Sequence, residues 1–192
     1  MNKSLENAIL YEIYPTSFYD SNNDGVGDFQ GIIQKLDYVK SLGVNVLWLN
    51  PFFLSPFQDG GYDITDYREI DPRFGTMKDF EEFVKKAKSL GFKILIDLVI
   101  GHTSVQCKWF KESAKQERNK YSDYYIWTDS LFATYKDKCI LGLYERDGGY
   151  LVNYYACQPA LNFGWLDMEY QCEGLLHENW KMHYLDERLK PL

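Results

Sequence analysis

"LDYVKSLGVNVLWLNP" (residues 36–51) and "FVKKAKSLGFKILIDLV" (residues 83–99) are two copies of one design. Each runs from a helical pattern through "KSLG" into a short apolar run. Gly43 and Gly91 fall where a helix C-terminus takes a left-handed residue. The runs at 44–49 and 94–99 are almost continuously apolar, the pattern of strands covered on both faces in a parallel sheet. Upstream, Ile32, Ile33, Leu36, Val39 and Leu42 recur with a period near 3.6, and Phe80, Phe83, Val84, Ala87 and Leu90 repeat that spacing. Thr76, with Asp79 three residues on, reads as the N-cap of the second helix. A third apolar run, residues 9–14, precedes the first copy. The order is strand, loop, helix, strand, loop, helix, strand: an α/β chain of βαβαβ type with a parallel sheet and right-handed crossovers.

After residue 99 the pattern changes. Residues 103–165 are irregular and rich in Tyr, Trp, Lys and Asp. Within them "KCILGLY" and "GYLVNYY" flank "ERDGG", which predicts a hairpin. This stretch reads as a small insertion after the third strand. Residues 166–192 are weakly helical, contain no fourth buried strand and form an unassigned tail. The expected division is therefore 1–102, 103–165 and 166–192.

The chain has 192 residues, 45% hydrophobic and 26% charged, which suits a soluble globular protein. No apolar run reaches the ~18 residues of a membrane span. A net charge of −7 argues against nucleic acid as a partner, because phosphate contacts need a basic face. The N-terminus has no apolar core or small-residue cleavage site, so a cytoplasmic location is expected. Cys107, Cys139, Cys157 and Cys172 form no CxxC pair and no zinc spacing, and read as reduced thiols. Aromatic residues make up 17% of the chain. Such rings pack cores and also stack on the flat faces of sugars.

Three stretches carry chemistry. In "YDSNNDGVGDFQG" (residues 19–31), Asp20, Asn22, Asp24, the Val26 carbonyl and Asp28 occupy positions 1, 3, 5, 7 and 9 of a calcium loop. Gly25 stands at the sharp turn. Position 12, a bidentate Glu in an EF-hand, is Gly31, and a strand precedes the loop instead of a helix. The donors suit Ca²⁺, with Mg²⁺ as the alternative; a solvated polar turn closed by Asx-type hydrogen bonds is the other reading. "GGYDITDYREIDPRFGT" (residues 60–76) puts Tyr62 and Asp63 in the loop after the second strand, where barrel enzymes place ligand contacts. Tyr62 covering the edge of the core is the plainer reading. "IDLVIGHTS" (residues 96–104) places Asp97 within an apolar strand, where a carboxylate needs partners or a task. His102 follows the strand's end, for function or merely facing solvent.

In this order on successive strand ends, "DSNNDGVGDFQGI", "GYDITDY" and "DLVIGHTS" resemble the α-amylase family of glycoside hydrolases, above all its oligo-1,6-glucosidase, α-glucosidase and trehalose-synthase-like members. "YEIYPTSFYDSNNDGVGDFQGI", "LGVNVLWLNPFFLSP", "DPRFGTMKDFEEFV" and "QPALNF" extend the resemblance over residues ~8–165. It implies a (β/α)₈ barrel, here incomplete: the first three β/α units plus the small domain inserted after the third strand. It implies that Asp20, Asn22, Asp24, Val26 and Asp28 hold a structural calcium ion. Tyr62 would be a stacking platform for the sugar, Asp63 and His102 would hydrogen-bond its hydroxyls, and Asp97 would support neighbouring active-site groups. Many members have Asn where Gly101 stands, a ligand of a second metal site in calcium-dependent amylases, so no such site is expected. Ala160 stands where many members carry Asp.

The family's retaining hydrolysis needs a carboxylate nucleophile and a second carboxyl that serves as acid and then base. No segment here resembles those that supply them, so no catalytic residue is assigned. The chain by itself is expected to be inactive, the N-terminal portion of an enzyme acting on an α-glucan or α-glucoside. A complementary chain carrying the rest of the barrel is one way to complete it. A stand-alone calcium- or sugar-binding module is the competing reading. A nucleotide-binding α/β protein is disfavoured, since no glycine-rich phosphate loop follows a strand.

Overall fold

The computed structural model describes residues 6–128, 139–141, 144–146 and 148–163. The expected tail, 166–192, lies outside them. The chain divides into two compact units, 1–99 and 100–192.

The first unit opens with β1 (Leu10–Ile13), a short turn of helix α1 (Pro15–Phe18) and α2 (Phe29–Ser41), followed by β2 (Val46–Leu49). A two-stranded piece, β3 (Phe53–Leu54) with β4 (Asp66–Ile70), comes next, then α3 (Met77–Ser89) and β5 (Lys93–Ile96). The sheet order is β1-β2-β5, all parallel, with Leu10 opposite Val46 and Val46 opposite Lys93. This is the βαβαβ unit read from the repeated stretches. The antiparallel β3–β4 pair was not expected, since residues 52–76 carry no alternating run.

Local signals explain the helix ends. The Asp28 carboxylate accepts the Gly31 N–H at 2.6 Å and starts α2. Thr76 and Asp79 exchange hydrogen bonds in a complete capping box that starts α3. Gly43 and Gly91 have φ of 80° and 81°, the left-handed exits that only glycine adopts at little cost. Ile32, Leu36 and Val39 are buried on α2, and Phe80, Phe83 and Ala87 on α3. Leu42 departs from the pattern: it lies just past the last turn of α2 and is 47% exposed. Between helices and sheet, Phe29, Phe52, Phe80 and Phe83 form one aromatic cluster, with centroids 5.0–6.2 Å apart.

One expectation is corrected. The run at 94–99 is not a strand covered on both faces. The strand stops at Ile96, its residues are half-buried, and Leu98 is 38% exposed. The cause is position: among the described residues β5 pairs only with β2. At the other edge, Ile9 and Leu10 of the β1 run are likewise exposed. Three strands cannot close a barrel, and among the described residues both outer strands keep an unpaired edge.

The second unit holds α4 (Lys108–Ser113) and a three-stranded antiparallel sheet. Its strands are β6 (Trp127–Thr128), β7 (Cys139–Leu141) and β8 (Gly149–Leu151), in the order β6-β8-β7. The β7–β8 pairing is the hairpin read from "KCILGLY" and "GYLVNYY". Its core is aromatic: Phe110, Tyr124, Tyr125 and Tyr150 are buried with Val152 and Leu161, and Trp127 and Tyr144 pack against them. Much of the unusual aromatic content is thus spent on packing. The unit boundary falls at 99/100, earlier than 102/103, because the His102 backbone bridges to Ala160 and so joins the second unit.

Candidate functional site

Parallel strands run their C-terminal ends to one edge of the sheet, so residues at those ends collect in one place. Glu12 on β1, Trp48 on β2, Asn50 just beyond it and Asp97 just beyond β5 meet there. The loop 55–63 brings Tyr62 to the same spot. Trp48 Nε1 donates to Asp97 Oδ1 at 2.6 Å, and the Tyr62 hydroxyl donates to Asp97 Oδ2 at 2.8 Å. Asn50 Nδ2 donates to the Tyr62 hydroxyl at 3.0 Å and to Glu12 Oε1 at 3.1 Å. Asp97 lies one residue past the strand, half-buried, with its backbone N–H on the Leu49 carbonyl. The reading of a carboxylate enclosed in a strand gives way to one at the strand's mouth, and its partners are the task that burial demanded. Burial, and then the bond to Asp97, push the Tyr62 phenol up to about 12, so the ring is neutral at any physiological pH.

The loop that carries Tyr62 is tied down by Asp63. That side chain is fully buried. Its oxygens accept from Ser55 Oγ at 2.9 Å, Gln58 N at 3.0 Å and Asp59 N at 3.2 Å. Both oxygens of this carboxylate are met by the loop's own donors, and through them Asp63 anchors the loop. Asp59, passed over in the sequence, is the acidic residue of this loop that keeps exposed surface, and the Tyr62 N–H donates to its carbonyl at 2.9 Å. The Tyr14 hydroxyl donates to the Gly60 carbonyl at 2.9 Å and pins the loop tip.

The loop from Asp20 to Asp28 is closed by its own hydrogen bonds. Asp20 accepts the backbone N–H groups of Asn22, Asn23 and Gly25 at 2.7–3.0 Å. Those bonds, the one from Gly25 first, hold its carboxyl below the usual range. Asn22 Oδ1 accepts from Asp24 N, and Asp24 Oδ1 from Val26 N. Asp28 is buried; besides capping α2 it accepts from the backbone and hydroxyl of Ser21. The Asx-type turn is therefore present, and Gly25 makes the sharp bend at φ 92°. Among the described residues no three acidic, His or Cys side chains gather as a metal group. The donors fit a hard cation in kind: ionised oxygens around a glycine turn.

His102 is in the second unit and is 4% exposed, not solvent-facing. Its Nδ1 is 3.0 Å from Asn153 Nδ2, and Tyr154 meets its ring edge-on at 5.9 Å. No helix among the described residues is long and apolar enough to cross a membrane.

The family model of the alpha amylase catalytic domain matches residues 12–166. The oligo-1,6-glucosidase of Parageobacillus thermoglucosidasius is 55% identical over 120 residues, which cover 62% of this chain and 21% of that protein. The trehalose-6-phosphate hydrolase of Escherichia coli K12 is 48% identical over 124 residues, 65% of this chain and 22% of that protein. Among solved structures, the Bacillus licheniformis trehalose-6-phosphate hydrolase superposes with a TM-score of 0.76 at 42% identity, covering 83% of this chain and 30% of that one. The alpha-glucosyl transfer enzyme XgtA gives 0.75 at 46% identity, over 81% and 31%. The chain thus spans about a fifth of the length of these curated relatives.

Proposed function

The chain belongs to the alpha-amylase catalytic-domain family, and from that premise we propose that it forms the N-terminal part of an enzyme acting on α-glucosidic bonds. The observation that carries this reading is the Tyr62–Asp97 pair, with Trp48 and Asn50, at the C-terminal ends of parallel strands. Barrel enzymes place their sites there. In this reading β1, β2 and β5 are the first three strands of a (β/α)₈ barrel, and the second unit is the domain inserted after the third. Three described strands cannot close a barrel. The working barrel then takes further strands from polypeptide outside these residues, in the same chain or a complementary one.

Each side chain has a task that its geometry supports. Tyr62 offers a neutral ring face to an apolar face of glucose, and its hydroxyl is held by Asp97 so that the ring does not turn. Asp59, on the rim of the same loop, binds a hydroxyl. Asp97 positions Tyr62 and Trp48. The nucleophile and the acid/base carboxyl of retaining hydrolysis are assigned to no residue here, so these 192 residues alone carry no turnover. The loop from Asp20 to Asp28 takes Ca²⁺, with Mg²⁺ as the weaker alternative, through the Asp20, Asn22, Asp24 and Asp28 side chains and the Val26 carbonyl. A hard cation there supplies no chemistry and braces the loop ahead of α2. The test is differential melting: millimolar Ca²⁺ raises the midpoint, and Asp20→Ala abolishes the rise. An unchanged midpoint defeats the cation reading.

The experiment for the whole reading is a chimera. Residues 1–163 replace the matching segment of an oligo-1,6-glucosidase, and isomaltose and maltose hydrolysis are assayed. Activity is expected, with Tyr62→Ala raising KM and lowering kcat/KM about 100-fold, ~2.7 kcal/mol. A folded chimera that cleaves no α-glucoside, or turnover by the unfused chain, defeats it. The stand-alone module reading has no observation in its favour beyond the same loop and ring.

A further inference from the structure

Gly101 and Asn153 are 52 positions apart and share one small space. A Cβ built on Gly101 lies 2.8 Å from Asn153 Nδ2. That same nitrogen is 3.0 Å from His102 Nδ1. The absence of a side chain at 101 is what admits the amide beside the imidazole.

The frame on both sides is fixed. The His102 backbone bridges to Ala160, and the Leu161 N–H donates to the Gly101 carbonyl at 3.1 Å. Asn153 closes a tight turn, its N–H on the Gln158 carbonyl at 3.0 Å, and the Ala160 N–H returns to the Leu151 carbonyl at 2.8 Å. The Tyr150 hydroxyl donates to the Ala156 carbonyl inside that turn at 2.7 Å. The amide and the ring are therefore presented to one another by paired backbone.

An amide nitrogen only donates. The ring nitrogen facing it must accept, so a neutral His102 carries its proton on Nε2. We propose that Asn153 is a positioning residue that fixes His102 as the Nε2–H tautomer, and that Gly101 exists to make room for it. The tautomer does not rest on the α-glucoside reading.

The test is ¹⁵N NMR of histidine-labelled full chain at roughly pH 8.5, about two units above the ordinary histidine value, so that the ring is neutral. The expected spectrum assigns the pyridine-type resonance of His102 to Nδ1. Asn153→Asp keeps the shape and replaces the donor by an acceptor, and the pyridine-type resonance should move to Nε2. Gly101→Ala displaces only the end of the Asn153 side chain and should give averaged shifts for both nitrogens. A native ring protonated on Nδ1 overturns the proposal. So does an unchanged His102 spectrum in Asn153→Asp, provided that the variant melts like the parent. If that variant does not fold, an unchanged spectrum in Gly101→Ala overturns it equally. No sugar enters the measurement, so an inactive chimera would leave the tautomer result standing, and a wrong tautomer would leave the glucoside reading standing.

Discussion

Two sets of carboxylates in the first unit solve opposite problems. Asp97 draws its partners from 49 and 35 residues away, Trp48 and Tyr62. Asp20, Asp24 and Asp28 take theirs from within seven residues. The first set exists only once β2 and β5 are in register, so its bonds are formed after the loop-closure entropy has been overcome. The second could form in a short peptide, because each bond closes a turn of the chain's own making. A distant pair reports the fold; a local set reports only what the loop prefers.

Removing Asp97 should break that contrast most visibly. Asp97→Ala leaves the Trp48 indole and the Tyr62 hydroxyl without their acceptor, two half-buried donors at once. The expected loss is about 2–3 kcal/mol in urea unfolding of the full chain, at unchanged m-value. A loss under about 0.5 kcal/mol would show water replacing the carboxylate, leaving the cluster no structural role. Asp28 straddles the two classes: it is buried, caps α2 and closes the loop. Asp28→Ala should cost about 1–2 kcal/mol by the same assay, the range of a lost helix cap. If it costs no more than substitutions at the exposed loop positions, the cap has no weight of its own.

The same distinction explains what could be read ahead of the structure. The repeated "KSLG" stretches, the Thr76–Asp79 box and the hairpin around "ERDGG" are local, and periodicity exposes them. Leu42 and the run after Ile96 misled because the apolar pattern says nothing about whether a neighbour is there to cover it. The β3–β4 pair, two residues against five, is too short to leave a period. Tyr62 and Asp97 were visible as residue types near strand ends, and His102 as one in the segment that follows the third strand. Their partners, Trp48, Asn50 and Asn153, were not, since nothing in a linear chain marks which two strand ends will face one another. Asp59 was passed over beside Asp63 for a different reason. Both are acids of one turn, and only burial tells which is spent on the loop's own N–H groups.

Tyr62 sharpens the comparison through pH. Its folded pKa is raised to about 12 from an ordinary 10.0. The group therefore contributes stability that is fully present below pH 10 and is lost as the pH rises from 10 towards 12. Half-exposure reduces what two pKa units would otherwise mean, to on the order of 1 kcal/mol. The native chain should lose that much more than Tyr62→Phe between pH 9.5 and roughly 11.5, which subtracts the titration of every other tyrosine and lysine. Parallel pH profiles for the two chains would show that the Asp97 bond does not hold the phenol's proton.

The smallest effect should come from Asp24, and its smallness is the informative part. Asp24 is exposed, and its bonds go to Asn22 and Val26, two residues away on either side. Without added divalent cation, Asp24→Ala removes turn contacts that water replaces at once. The midpoint of melting should move by no more than about 2 °C. In saturating Ca²⁺ the gap between parent and variant should widen, because a ligand that binds only the folded loop adds stability in proportion to the logarithm of its concentration over Kd. A large loss without calcium would mean that the turn's own hydrogen bonds brace α2, moving these acids into the class of Asp97. A gap that calcium leaves unchanged would keep them as a turn and nothing more.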